Sequence, residues 1–306
     1  MASLSRLLIS FDWFIKKLIR RKANHAILEG FLSEFLEENI KIKKILESET
    51  NKDEADDKST QVDCLCENSK NELIIIEVQY HSELDYFQRI LFGTSKIICD
   101  HMFESDAYEK VKKIYSINIL FFDLGQGEDY VYHGITTFTG IHTNDLLKLK
   151  NNQQDKYGKE LPGDLYPEYY IIKVKNFNNV IKNTMDEWVY YFKNNEVPPN
   201  YKAKGLKEVD NQLKYETMDV SLKKLYDQHK KEVKISYSML ESAKSDGKYE
   251  GKIEGKIEGK IEGKIEGKTE TVLNCNDNGI DIKMTANIAS LPEDEVVRLL
   301  KEHGRI

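Results

Sequence analysis

The sequence predicts an α/β (α+β) domain with the element order α-β-β-β-α-β, a mixed sheet flanked by helices and followed by a helical tail. Three observations carry that prediction. Apolar residues recur at helical spacing over residues 11–36 and 84–102, β-branched and aromatic runs stand between and after them, and a four-residue repeat fills residues 244–270. Of the 306 residues, 40% are hydrophobic and 10% aromatic, enough to bury a sizeable core and to exclude wholesale disorder. No apolar run approaches the roughly 20 residues that cross a bilayer, so no membrane partner is expected.

Each element has its own signal. Phe14, Leu18, Ile27, Phe31 and Phe35 place the first helix over residues 11–36, with Gly30 its one weak point. Ile40, Ile42 and Ile45 read as a strand, and an acidic loop over residues 51–58 follows. Residues 60–66 and 73–79 form strands two and three of a hairpin, turning through residues 67–72. Leu84, Phe87, Ile90, Leu91, Ile97 and Ile98 line a second amphipathic helix over residues 84–102. Residues 114–122 are a strongly apolar strand, and residues 130–141 and 166–174 add β structure. The boundaries expected are a domain over residues 1–205, a helical extension over 206–243, the repeat over 244–270 as helical or flexible spacer, and a small helical element over 271–306.

The hairpin is where chemistry concentrates. With its turn centred near Lys70, Asp63 and Glu77 oppose one another, their Cβ atoms roughly 4.5–5.5 Å apart. Gln79, two residues beyond Glu77, shares its face, while Ile74, Ile76 and Val78 take the other. Like charges opposed on adjacent strands destabilise them, and burial adds a desolvation cost. Two compensations are open. A hard divalent cation such as Mg²⁺ takes oxygen ligands and would bring phosphoryl chemistry, Asp63 and Glu77 being the metal ligands. Alternatively Glu77 pairs with a lysine or arginine and Asp63 caps a neighbouring turn.

Several stretches narrow the choice: Phe11-Asp12-Trp13-Phe14-Ile15-Lys16-Lys17-Leu18, Asp56-Asp57-Lys58, Gln61-Val62-Asp63, Ile75-Ile76-Glu77-Val78-Gln79, Tyr115-Ser116-Ile117-Asn118-Ile119-Leu120, Tyr166-Pro167-Glu168-Tyr169-Tyr170 and Asp186-Glu187-Trp188. Over residues 11–245 the chain resembles the bacterial Rpn family of recombination-promoting nucleases, also described as PD-(D/E)XK nuclease family transposases. The resemblance implies a restriction-endonuclease-like core, a DNA partner, Mg²⁺ or another divalent cation, and cleavage of a DNA phosphodiester. It makes Asp63, Glu77 and Gln79 the catalytic residues. Gln79 falls where most enzymes of this fold keep a lysine, and a neutral amide supplies no positive charge, so its role is to orient water or a phosphate oxygen. Val62 stands where the motif's proline would be. Glu29 or Glu34 on the first helix and Lys58 are further candidates. The alternative is a catalytically inactive nuclease-fold protein that binds DNA or assembles with partners, and a third possibility is an interaction protein built around the tail.

Other features set limits. Forty-five basic and 52 acidic residues leave a net charge of −7, which argues against a histone-like binder. Local clusters, Lys16, Lys17, Arg20, Arg21 and Lys22, then Lys41, Lys43 and Lys44, can still hold phosphates or simply be solvated. The four cysteines form no CxxC pair and are expected to be reduced packing residues. The apolar stretch over residues 7–15 is interrupted by Asp12 and followed by basic residues, an order opposite to a secretory signal, so a cytoplasmic protein is expected. The absence of a GxxxxGK[ST] motif implies cutting without ATP.

In the repeat, Lys, Gly and an acidic residue each recur every fourth residue, with Ile253, Ile257, Ile261 and Ile265 between them. On a helix each residue type forms a stripe drifting by about 40° per repeat, with the Lys and Glu stripes about 200° apart. Neighbours at i,i+4 are therefore like-charged, and each Gly costs roughly 1 kcal/mol relative to Ala. Two readings remain: a flexible charged spacer, or a helix whose Lys stripe meets the Glu stripe of a second copy in a homo-oligomer. Residues 282–289 and 293–301 read as two short helices around a Ser290-Leu291-Pro292 turn. They form either a helical cap or a degenerate DNA-binding helix-turn-helix.

Overall fold

A computed structural model describes residues 8–19, 22–46 and 62–306. The chain divides into two compact units, Met1–Tyr237 and Ser238–Ile306.

The first unit is built on a six-stranded mixed sheet with order β1-β2-β3-β4-β6-β5. Its strands are β1 (Ile42–Leu46), β2 (Cys64–Asn68), β3 (Leu73–Gln79), β4 (Ile114–Leu120), β5 (Val131–Gly134) and β6 (Glu168–Lys173). β2 pairs antiparallel with both β1 and β3, β4 lies parallel to both β3 and β6, and β5 returns antiparallel on β6. The parallel β3–β4 pair requires a crossover. The helix α3 (Tyr86–Asp100) supplies it.

The first predicted helix is not continuous. The chain forms a short α1 (Phe11–Trp13), a π turn over Phe14–Leu18, and then α2 (His25–Phe35). Apolar spacing cannot register this, because Phe14 and Leu18 stay on one face whether or not the turn holds an extra residue. Phe11, Phe31 and Phe35 pack with Trp188 and Phe192 of α5 (Thr184–Asn194), beneath the sheet face that carries Ile74, Ile76 and Val78. A small α4 (Asn151–Tyr157) lies in the β5–β6 connection. Gly30 is the point where α2 approaches the chain entering α6 (Leu206–Gln212): a Cβ there would lie 2.4 Å from the Gly205 Cα.

Leu206, Val209, Leu213 and Tyr226 belong to the same core, so the first unit extends well past residue 205. Tyr226 and His229 lie on α7 (Val220–Asp277), a 58-residue helix that includes the repeat. The Ser10 backbone N–H donates to the Tyr226 hydroxyl at 3.0 Å, and His229 Nε2 stands 2.6 Å from Oδ2 of the buried Asp12.

In the second unit, α8 (Ile282–Ala289) and α9 (Glu293–Glu302) close over Val272 with Ala286, Ala289, Val296, Leu299 and Leu300. Pro292 is the N-cap of α9. Along the repeat, a Cβ at Gly247, Gly251, Gly255, Gly259, Gly263 or Gly267 would meet nothing within 4 Å. Ile253, Ile257, Ile261 and Ile265 are exposed.

Among the described residues no helix is long and apolar enough to cross a membrane. Cys64, Cys66 and Cys275 are buried free thiols, and Cys99 is an exposed one.

Candidate active site

The β2–β3 register runs Cys64↔Ile76, Leu65↔Ile75, Cys66↔Ile74 and Glu67↔Leu73. Continued by one step, it sets Asp63 against Glu77. Asp63 itself lies just before β2, in a bend. There its side chain takes over from the ladder: Asp63 Oδ2 accepts the Val78 backbone N–H at 2.8 Å. Its other oxygen, Oδ1, lies 3.4 Å from Lys16 Nζ on the π turn.

Strand alternation decides which way Glu77 points. Ile74, Ile76 and Val78 fill the main core, whereas Leu73 and Ile75 pack with Val62, Leu65 and Ile97 of α3 on the opposite face. Glu77 follows Leu73 and Ile75 onto the α3 face, and it is 8% exposed. Burial there pushes its carboxyl up from the ordinary 4.5 to about 7, with Asp63 and Glu83 adding to the rise and Arg89 opposing it.

α3 and β4 furnish the rest of the surroundings. Arg89 Nη2 lies 3.8 Å from Glu77, and Arg89 Nη1 donates to Glu83 at 2.6 Å. Gln79 Nε2 also donates to Glu83, at 2.8 Å. Asn118 is the register partner of Glu77 on β4 and is fully buried. The Tyr86 hydroxyl donates to Asn118 Oδ1 at 3.2 Å, and the Asn118 amide reaches Ser116 Oγ at 3.1 Å.

Asp63, Glu77 and Gln79 are thus brought to one end of the β2–β3 hairpin, joined by Lys16, Glu83, Tyr86, Arg89 and Asn118. Ser116 and Asn118 had a visible signal, two polar residues two apart in a strand otherwise apolar. The others come from separate elements, and spacing gave no pointer to them. The remaining candidates lie elsewhere. Glu29 accepts from Lys41 Nζ at 2.8 Å and from the Ile42 backbone at 2.9 Å. Glu34 accepts the Lys204 backbone N–H at 2.9 Å and pairs with Thr184. Lys43 and Lys44 lie against the buried Glu67, at 2.8 and 3.6 Å, and Lys112 shares the same carboxylate at 2.6 Å, so one acid offsets only part of this basic cluster. Lys58, Arg20 and Arg21 lie outside the described residues.

The donor set suits a hard cation. A carboxylate offers about four lone-pair positions. Glu77 has one loose ion pair at 3.8 Å, and the Lys16 contact to Asp63 is longer than a hydrogen bond, which leaves oxygen lone pairs for a metal. Among the described residues no group of three or more His, Cys, Asp or Glu is placed to hold a metal ion. Two carboxylates nevertheless match the Mg²⁺ habit of one or two protein ligands completed by water and substrate phosphate.

Residues 9–243 match the family described as PD-(D/E)XK nuclease family transposase. No curated protein and no solved structure matches the chain.

Proposed function

Since the chain belongs to the PD-(D/E)XK nuclease family of transposases, we propose that it is a divalent-cation-dependent DNA endonuclease acting in recombination or on mobile elements. The observation that carries this reading is Glu77. A carboxylate held in a buried strand, its proton affinity raised to about 7 and a second carboxylate in register beside it, is costly without a cation to share. Asp63 and Glu77 would hold Mg²⁺, which when bound activates water and offsets charge on the scissile phosphate.

The chain's own groups do the positioning. Val78 fixes Asp63 through its backbone N–H, and Asn118 and Tyr86 wall in Glu77. Glu83 holds the Gln79 amide through Nε2, so Gln79 Oε1 can accept a hydrogen bond from the attacking water.

The test is incubation of the purified full chain with supercoiled plasmid and Mg²⁺. Nicked and linear DNA should form, and neither EDTA-treated protein nor Asp63→Ala should cut. Cleavage that persists in either control sinks the mechanism. One observation favours a second reading: Arg89 already lies against Glu77 and Glu83, the kind of neutralisation a catalytically silent DNA-binding relative would use. Retained plasmid binding without cutting would select it.

The exposed isoleucine stripe of the repeat supports a contact between copies of the chain, since in a parallel pair the Lys flank of one helix meets the Glu flank of the other. Light scattering at two concentrations should show the mass rising. A monomer at both removes the idea.

A further inference from the structure

We propose that Lys16, projecting from the π turn of the N-terminal segment, supplies the positive charge to the scissile phosphate that Gln79 cannot. The inference rests on the nuclease reading above. It starts from a deficit: at the end of β3 the side chain is a neutral amide, with its Nε2 donating to Glu83. A developing negative charge on phosphate is best met by a fixed cationic donor. Two cations stand near the carboxylates, and they differ. Arg89 is shared between Glu83 at 2.6 Å and Glu77 at 3.8 Å, so two carboxylates already balance it. Lys16 Nζ sits 3.4 Å from Asp63 Oδ1, with its side chain 39% exposed.

That distance matters. It lies beyond ordinary hydrogen-bond length, so the ammonium's three donors are not spent on Asp63. A phosphate oxygen would take one of them at a charge-assisted length of about 2.7–2.9 Å.

The backbone beneath Lys16 is fixed. Phe14, Ile15, Leu18 and Ile19 are all buried, while Lys16 and Lys17 face outward. The Ile19 N–H bonds to the Phe14 carbonyl at 3.1 Å, five residues back. Such single π turns insert a residue and re-aim the side chains around it, and they recur at functional sites. Four residues earlier, Asp12 is buried within electrostatic reach of Lys16. Burial raises its carboxyl, but bonds from His229 and Ser10 outweigh that and leave it below its ordinary value. Lys16 thus faces outward from the turn at the edge of the candidate site, with Asp63 at 3.4 Å and Asp12 already bonded to His229.

The step balances without consuming Lys16. A water oxygen bonds to phosphorus, one P–O ester bond breaks, and the departing sugar oxygen ends with a proton drawn overall from that water. The products are a phosphomonoester and a hydroxyl end. Lys16 donates a hydrogen bond to a non-bridging oxygen throughout and transfers no proton.

The experiment compares the full wild-type chain with Lys16→Met and Lys16→Arg in single-turnover plasmid cleavage with Mg²⁺, alongside calorimetric Mn²⁺ titration without DNA. Lys16→Met should cleave about 10²- to 10³-fold more slowly, the loss typical of removing one such donor. Lys16→Arg should recover much of that rate, and Lys16→Met should bind Mn²⁺ at least as tightly as wild type, since a competitor for Asp63 has gone. Lys16→Met cleaving within about threefold of wild type overturns the inference alone. So does a parallel loss of Mn²⁺ binding, which would make Lys16 a prop for Asp63. A wild-type chain that does not cut overturns the nuclease reading and this inference with it.

Discussion

Replacing Glu77 with glutamine should abolish cleavage and at the same time stabilise the metal-free protein at pH 8. The two effects share one cause. Burial lifts the Glu77 carboxyl from 4.5 to about 7, so the native state holds a proton that the unfolded chain releases. Below pH 4.5 both states are protonated and Glu77 contributes nothing. Between 4.5 and about 7 stability falls as pH rises, and above 7 the full penalty persists. At about 1.4 kcal/mol per pH unit over that interval, the penalty has an upper bound of about 3.5 kcal/mol. In EDTA, urea unfolding should therefore show Glu77→Gln about 1–3 kcal/mol more stable than wild type at pH 8 and equal to it at pH 4. Mg²⁺ should raise the wild-type Tm and leave the variant unchanged, because a ligand that binds only the native state stabilises it. A variant less stable at pH 8 would mean that the Arg89 pairing outweighs desolvation, and Glu77 would then be a structural ion-pair partner.

The hairpin register was legible because it is local. A turn centred at residue 70 fixes 63 against 77 by counting, and alternation then sends Glu77 and Gln79 away from Ile74, Ile76 and Val78. What surrounds that pair was not legible. Lys16 lies 47 positions before Asp63, and Asn118 lies 41 after Glu77. Only the crossover through α3 and the folding of the N-terminal segment onto the sheet bring them together. Charge counts are incomplete for the same reason. Lys43 and Lys44 read as a basic patch in sequence, and Glu67 on the adjacent strand, shared with Lys112, offsets part of their charge. The π turn was invisible because a single inserted residue leaves the buried face of Phe14 and Leu18 intact. The family resemblance implies what spacing left open, a cation rather than an ion pair for Asp63 and Glu77.

Gly30→Ala should cost the fold more than most single methyl additions, and it should leave the chemistry alone. By helix propensity the change is favourable by roughly 1 kcal/mol. Space decides otherwise: the new Cβ would lie 2.4 Å from Gly205 Cα, 2.5 Å from Gly205 N and 2.5 Å from the Lys204 carbonyl carbon. All three are backbone atoms, so no rotamer change relieves the clash and the start of α6 must move. Trp188 is tied to that segment by its indole N–H on the Lys204 carbonyl, 3.1 Å away, and it packs on Phe31 and Phe11. Displacing α6 therefore opens the aromatic core. A loss of about 3–4 kcal/mol is expected, seen as a Tm lower by about 10 °C. Gly255→Ala is the control, for in the repeat a Cβ meets nothing within 4 Å, so only the propensity gain remains and tail helicity should rise. Gly30 lies on α2 beneath the core face of the sheet, whereas Glu77 stands on the α3 face. Cleavage by Gly30→Ala at a temperature where it stays folded should match wild type. A drop there without unfolding would show that α2 packing sets the geometry of the carboxylate pair as well as the stability of the core.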